Sequence, residues 1–171
     1  MAESTVRRYL DLLSNTFMVH TLPPWSENIG KRVVKTPKAY VADSGLLHAL
    51  LDVPSARGLE AHPKVGASFE GFALHEVVRR LRVRPEQCYF WATHQGAELD
   101  LLIVRENKRY GFEFKRTDAP GVTKSMRIAI ADLGLDRLDV VHAGDDTYPL
   151  SENVRALSVA RITVDLAPIG R

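Results

Sequence analysis

Acidic residues and a lysine lie at close spacing in the middle of the chain. Glu98 and Asp100 begin one apolar run, and Glu113 and Lys115 end the next one. Both runs are short, rich in apolar and aromatic residues and separated by the polar residues 105–108, a pattern that predicts the two strands of a β-hairpin. Because side chains alternate along a strand, Glu98, Asp100 and residues 102 and 104 are expected on one face. Glu113 and Lys115 are likewise expected on one face of the partner strand.

The register of this hairpin decides which side chains meet. A symmetric turn centred on 105–108, with a two- or four-residue loop, places Asp100 opposite Glu113. It also places Glu98 opposite Lys115, where the two can pair. Opposed side chains stand about 4.5–5.5 Å apart at Cβ, and two carboxylates at that distance repel unless a cation or a proton lies between them. The spacing therefore favours a metal site beside a lysine; the alternative is a solvated sheet edge whose charges keep it soluble.

A third carboxylate, Glu70, lies on the longest predicted helix. This helix spans about 68–82, with Ser68 as its N-cap. At 100° per residue, Glu70 shares an apolar stripe with Leu74 and Val77. A buried carboxylate must be neutralised, pair with a base or bind a metal. The alternative is that Glu70 complements the helix dipole near its N-terminus, and the residues alone leave both interpretations open.

The order of the elements after this helix predicts a mixed α/β domain. Three strands are expected at 87–93, 98–104 and 109–116, and their short connections make them antiparallel. A helix at 122–133 and a strand at 137–143 follow, and the crossover makes this last strand parallel to another strand of the sheet. Helices packed on such a sheet form a layered α/β core.

The part of the chain before residue 68 reads as shorter elements. Its apolar periodicity and turn residues predict a sequence of small pieces. They are a helix over 4–15, a strand over 17–22, a basic loop or hairpin over 26–37, a strand over 39–42, a brief helix from 43 to 51 capped by Asp43 or Ser44, and a linker or mobile loop over 52–66.

Composition limits the classes of function. The 171 residues are 45% hydrophobic, enough for one substantial core. No apolar run reaches the roughly 20 residues that cross a bilayer, and no secretory signal begins the sequence, so a cytoplasmic protein is expected. A single cysteine, Cys88, excludes an intramolecular disulfide and a cysteine zinc cluster. The net charge of +2 permits contact with nucleic acid without predicting it.

The order of elements, together with Glu70, Asp100 and the segment Glu113-Phe114-Lys115, resembles the PD-(D/E)XK nuclease superfamily. The resemblance implies a restriction-endonuclease-like core: a helix, a three-strand antiparallel meander, a helix and a strand. It also implies a catalytic set, which consists of Glu70, Asp100, Glu113 and Lys115. The implied Mg²⁺ or Mn²⁺ ligands are Asp100, Glu113, Glu70 and the backbone carbonyl of Phe114. Asp100 follows a leucine, where a proline is common in the superfamily.

Short motifs spread along most of the chain carry a closer resemblance. They are Leu-Pro-Pro-Trp at 22–25, Lys-Thr-Pro-Lys at 35–38, Asp-Ser-Gly-Leu at 43–46, Phe-Glu at 69–70, Tyr-Phe-Trp at 89–91 and Gly-Ala-Glu-Leu-Asp at 96–100. Together they resemble the C-terminal domain of unknown function of prokaryotic AAA-type ATPases. The resemblance implies a winged-helix remnant and linker at 1–36 and a nuclease-like domain at 37–171. Since the sequence contains no G-x-x-x-x-G-K-[ST] motif, no P-loop ATP site is expected, and an AAA-type ATPase becomes a possible partner.

Two functions follow as expectations. One is a Mg²⁺-dependent deoxyribonuclease or nuclease-like DNA-binding module, with DNA as its partner. The other is a catalytically inactive nuclease-fold domain that interacts with or regulates an AAA-type ATPase, since a fold does not establish a function. Several polar residues are candidate contacts to the DNA backbone, with solvated faces as the alternative. These residues are Lys35, Lys38, His94, Gln95, Lys124 and Arg127. The sequence leaves the oligomeric state open.

Overall fold

The computed structural model describes residues 3–26 and 36–169. Most of the predicted basic loop at 26–37, including Lys35, lies outside the described residues. Within them, no helix combines the length and the apolar character needed to cross a membrane. The helices are α1 (Glu3–Asn15), α2 (Ser44–Leu50), α3 (Ala56–Ala61), α4 (Val65–Leu81), α5 (Lys124–Leu133) and α6 (Ile162–Asp165). The strands are β1 (Val19–Leu22), β2 (Lys38–Val41), β3 (Cys88–Ala92), β4 (Glu98–Arg105), β5 (Lys108–Lys115), β6 (Arg137–His142), β7 (Tyr148–Ser151) and β8 (Val154–Ser158).

The main sheet is six-stranded, in the order β3-β4-β5-β6-β8-β7, and a second sheet pairs β1 with β2. Strands β3, β4 and β5 form the expected antiparallel meander. Strand β6 returns through α5 to lie parallel to β5, which confirms the predicted crossover. Strands β7 and β8 extend the sheet beyond β6; their apolar pattern in the sequence was too weak to predict them as sheet strands. The mixed α/β class is thereby confirmed.

The β4–β5 hairpin has the predicted register. Leu101 pairs with Phe112, and Arg105 pairs with Lys108 across a two-residue turn. Glu106 opens this turn with a φ of 55°, the left-handed conformation that such tight turns require. The register therefore brings the acidic end of β4 beside the end of β5.

A β-bulge interrupts β4 close to the acidic residues. Tyr89 pairs with Leu102, but Trp91, only two residues further along β3, pairs with Leu99. Strand β4 thus contains one extra residue in this stretch, which shifts its side-chain alternation. Leu99 and Leu102 pack in the same apolar cluster as a result. The strict alternation expected for β4, with Glu98, Asp100 and residues 102 and 104 on one face, is therefore wrong.

Helices cover both faces of the sheet. On one face, Leu74, Val77 and Leu81 of α4 are fully buried against Leu101 and Phe112. This confirms the predicted apolar stripe, and each such side chain contributes roughly 1.5–3 kcal/mol to folding. On the other face, Met126 and Leu133 of α5 pack against the sheet. The hairpin that carries the acidic residues is consequently a central, covered part of the sheet.

Two helix predictions need correction. Helix α4 begins at Val65, so Ser68 lies inside its first turn instead of capping it. The buried Ser68 hydroxyl lies 2.7 Å from Nε2 of His48 on α2, and this tertiary contact explains why a good capping residue stands within a helix. The predicted linker at 52–66 contains α3, which Ser55 caps by accepting a hydrogen bond from Gly58. The predicted capping of α2 by Asp43 is confirmed.

Candidate functional site

Asp100 is the most constrained acid of the site. It is buried, and the β4 bulge carries it toward the end of β5. Its Oδ2 accepts a hydrogen bond of 3.1 Å from the backbone N–H of Phe114, and its Oδ1 lies 3.0 Å from Nζ of Lys38. Both carboxylate oxygens therefore have partners, which is the condition for burying an ionised group.

Glu113 is buried beside Asp100, as the hairpin register predicted. Burial and the negative charge of Asp100 raise its pKa from 4.5 to about 8. Lys115 Nζ lies 3.0 Å from the Glu113 carboxylate and opposes this increase without cancelling it. The two carboxylates are thus close enough that one proton, or one cation, is favoured between them.

Glu70 reaches the same cluster from α4. The Tyr40 hydroxyl donates a 2.6 Å hydrogen bond to its Oε1, and Lys38 Nζ lies 3.5 Å from the same oxygen. Burial and the Glu70 carboxylate raise the pKa of Tyr40, so the phenol remains a donor. The sequence left open whether Glu70 finds a polar partner or only complements the helix dipole. The structure favours the first interpretation, because Tyr40 and Lys38 of β2 both contact the Glu70 carboxylate.

Lys38 lies at the centre of the acids. Its ammonium contacts Asp100, Glu70 and Glu98, and the contact to Glu98 is the shortest. Burial alone would lower the pKa of Lys38. The carboxylates of Asp100, Glu98 and Glu70 outweigh this effect, and the pKa is raised. The sequence offered Lys38 as a candidate contact to the DNA backbone, which stays a prediction; the structure places its ammonium among three carboxylates.

The local fold explains how Lys38 reaches the cluster. Lys38 begins β2, directly opposite Leu22 at the end of β1. The chain beyond Leu22 pairs with the free edge of β3, where Trp25 donates to the carbonyl of Phe90 and Phe90 donates to the carbonyl of Pro23. The β1–β2 pair is thereby fixed against the main sheet, and its first β2 residue faces the acidic end of β4.

The expected pairing of Glu98 with Lys115 is replaced by two other ion pairs. Glu98 pairs with Lys38, and Lys115 pairs with Glu113. The β4 bulge explains the difference, because the simple hairpin geometry ends beyond the Leu101 pair. Sequence reasoning missed the roles of Lys38 and Tyr40, which lie 62 and 30 residues from their partners Asp100 and Glu70. The sequence signal that could have revealed them is their i, i+2 spacing, which places both side chains on one face of a short strand.

The remaining candidate contacts to DNA lie elsewhere. Gln95 and Lys124 line a depression of about 270 Å³ at the β3–β4 turn. His94 and Arg127 are exposed. Among the described residues, these four take no part in the acid cluster, so their role in binding DNA stays a prediction.

A larger groove adjoins the cluster. It has a volume of about 570 Å³ and lies between β2, α2 and α4. Lys38, Tyr40 and Glu70 line the groove together with Gly71 and His75. Of the clustered acids, Glu70 is therefore accessible from an open groove.

The donor set fits a hard divalent cation at one corner of the cluster. Asp100 and Glu113 supply carboxylate oxygens, which Mg²⁺ and Mn²⁺ prefer. Because the N–H and C=O of one strand residue point toward the same neighbouring strand, the Phe114 carbonyl also faces Asp100. Over residues 3–26 and 36–169, no group of three or more His, Cys, Asp or Glu side chains is arranged to hold a metal. The position between Asp100 and Glu70 is taken by Lys38.

These features define a mixed α/β protein whose central hairpin carries two buried carboxylates, Asp100 and Glu113, with a lysine from β2 and a lysine from β5 beside them. The family described as domain of unknown function DUF4143 matches residues 65–162, more than half of the chain, and the chain belongs to this family. The DUF4143 domain occurs at the C-terminus of AAA-type ATPase-like proteins, which confirms this part of the resemblance. A second family, also described as a domain of unknown function, DUF8612, matches residues 1–57.

Two curated relatives carry no assigned function. The chain is 46% identical over 162 residues to the uncharacterised protein Rv2008c of Mycobacterium tuberculosis and to the uncharacterised protein Mb2031c of Mycobacterium bovis. The match covers 95% of this chain and 36% of each relative, so the chain spans about a third of their length. No solved structure matches the chain.

Proposed function

We propose that the chain is a metal-dependent nuclease domain with a restriction-endonuclease-like core, acting on DNA. The observation that carries the proposal is the buried pair of Asp100 and Glu113 with Lys115 beside it, at the adjoining ends of β4 and β5. The order of α4, the β3–β5 meander, α5 and β6 supports the core assignment. The link of this family to AAA-type ATPase-like proteins supports an ATPase as the partner.

Each residue of the proposed site has a definite task. Asp100, Glu113 and the Phe114 carbonyl hold Mg²⁺ or Mn²⁺, with Glu70 completing the acidic surroundings. When bound, the cation polarises the phosphodiester and activates water. Lys115 lies half-exposed next to Glu113 and supplies positive charge toward the solvent side, where it orients water and balances charge on the phosphate.

Cleavage of plasmid and single-stranded DNA with Mg²⁺ or Mn²⁺ tests this proposal. The wild-type chain is expected to cleave, and the Asp100→Ala, Glu113→Ala double variant is expected to lose cleavage. The matched control is Asp11→Asn with Glu152→Gln, which removes two exposed negative charges away from the cluster. Equal cleavage by wild type and the Asp100, Glu113 variant contradicts the assigned site.

A second candidate function rests on Lys38. Its ammonium already contacts three carboxylates, as expected of a site that serves as scaffold in an interaction or regulatory domain. In that case the domain docks on or regulates an AAA-type ATPase without cleaving DNA. Calorimetric titration separates the two functions: absence of binding at millimolar Mg²⁺ and Mn²⁺ supports the inactive domain, whereas saturable binding supports the nuclease.

A further inference from the structure

The acid cluster is assembled from two family segments. Residues 1–57 match one family and residues 65–162 match the other. Glu70, Asp100 and Glu113 belong to the second segment, whereas Lys38 and Tyr40 belong to the first. The first segment therefore supplies a positive charge and a hydrogen-bond donor to acids that it does not itself contain.

From this arrangement we infer that Lys38 is a built-in counter-cation that competes with a divalent metal for Asp100. The N-terminal segment thereby sets the metal affinity of the acids in the DUF4143 domain. The inference rests on the proposed metal site and adds a positioning residue to it, one that acts on the metal through Asp100.

Geometry makes the two cations exclusive at one oxygen. Asp100 Oδ2 is held by the Phe114 N–H, so Oδ1, 3.0 Å from Lys38, is the carboxylate oxygen that a metal must share or take. A divalent ion that binds there lies a few ångströms from the ammonium, and like charges at such distances repel strongly in partly buried surroundings. Full occupancy by metal thus requires Lys38 to move away from Asp100.

Lys38 has a path for such a movement. Its side chain is 25% exposed and lines the open groove beside Glu70. Glu98, its partner with the shortest contact, is 48% exposed at its side chain and is no proposed metal ligand. The ammonium can therefore leave Asp100 while keeping Glu98 as its partner. Metal binding then moves the Lys38 side chain away from Asp100, and a displacement of β2 changes the metal affinity.

Calorimetric titration with Mn²⁺ alone tests the inference, without any assay of cleavage. Lys38→Met is expected to bind Mn²⁺ at least about tenfold more tightly than the wild type, because a repelling unit charge is gone. Lys38→Arg keeps the charge and is not expected to show this gain. Lys108→Met is the matched control, since Lys108 is exposed at the distant β4–β5 turn and its loss changes the net charge equally.

Each outcome has a separate meaning. Equal Mn²⁺ affinity in wild type and Lys38→Met, or weaker binding by the variant, overturns the competition while leaving the metal site in place. Failure of both proteins to bind Mn²⁺ overturns the metal site and the competition together. If Lys38→Met does not fold, the double variant Lys38→Met with Glu98→Gln restores the charge balance, and it is expected to show the same gain over Glu98→Gln alone.

Discussion

Replacing Glu113 with glutamine tests the electrostatics of the cluster without any metal. Burial and the Asp100 carboxylate raise the pKa of Glu113 from 4.5 to about 8. Between these two values the folded protein keeps a proton that the unfolded chain has released. The free energy of unfolding therefore falls as the pH rises through this interval, and the full penalty is present above the folded pKa.

The size of this effect follows from the two pKa values. With these values, the free energy of unfolding of the wild type falls by at most about 2–3 kcal/mol between about pH 6 and about pH 9. Glutamine keeps the shape of the side chain but cannot ionise, so Glu113→Gln is expected to remove this loss. The folded pKa of Glu113 already includes the opposing effect of the ion pair with half-exposed Lys115. From about pH 6 to about pH 9 the stability of the variant relative to the wild type should therefore rise by up to about 2–3 kcal/mol.

Urea unfolding in the presence of a chelator, at about pH 6 and about pH 9, measures this difference. Glu152→Gln is the matched control, because Glu152 is exposed in the β7–β8 turn and should leave the pH dependence unchanged. If Glu113→Gln loses stability with pH as steeply as the wild type, Glu113 is not held near Asp100 as described.

Three further substitutions test the fold around the site by urea unfolding. Gly111→Ala should lose about 1–3 kcal/mol, because the new Cβ would lie 2.7 Å from a buried leucine, whereas the control Gly121→Ala meets nothing within 4 Å; equal losses would contradict the close packing. Tyr40→Phe should lose about 1–2 kcal/mol with the hydrogen bond to Glu70, and no loss would mean that water replaces it. Asp139→Ala should lose about 3–5 kcal/mol, because it leaves two arginines without their buried partner; a loss below about 1 kcal/mol would refute that burial.

Local patterns were sufficient to predict the frame of the site. The alternation of apolar residues and the polar turn at 105–108 located both strands of the hairpin and its register. The helical stripe on α4 identified its buried face, and Glu70 near the start of this helix reaches Lys38 and Tyr40 of β2. Gly134, at a φ of 59°, ends α5 as expected of a residue that tolerates the left-handed conformation.

The parts that the sequence did not reveal depend on contacts between distant residues. Lys38 is 62 residues from Asp100, and only the docking of the β1–β2 pair on β3 brings them together. The β4 bulge also has no local signature, since an extra residue in a strand is seen only against its partner strand. Ser68 was mistaken for a cap because its tertiary contact with His48 is invisible in the local sequence.

The most direct test of the metal site is anomalous diffraction from crystals soaked in Mn²⁺, with wild-type protein and Lys38→Met side by side. We expect a peak about 2.0–2.3 Å from oxygens of Asp100 and Glu113 and from the Phe114 carbonyl, with higher occupancy in Lys38→Met. The contradicting result is no peak in either protein, with Lys38 Nζ of the wild type still on Asp100 Oδ1.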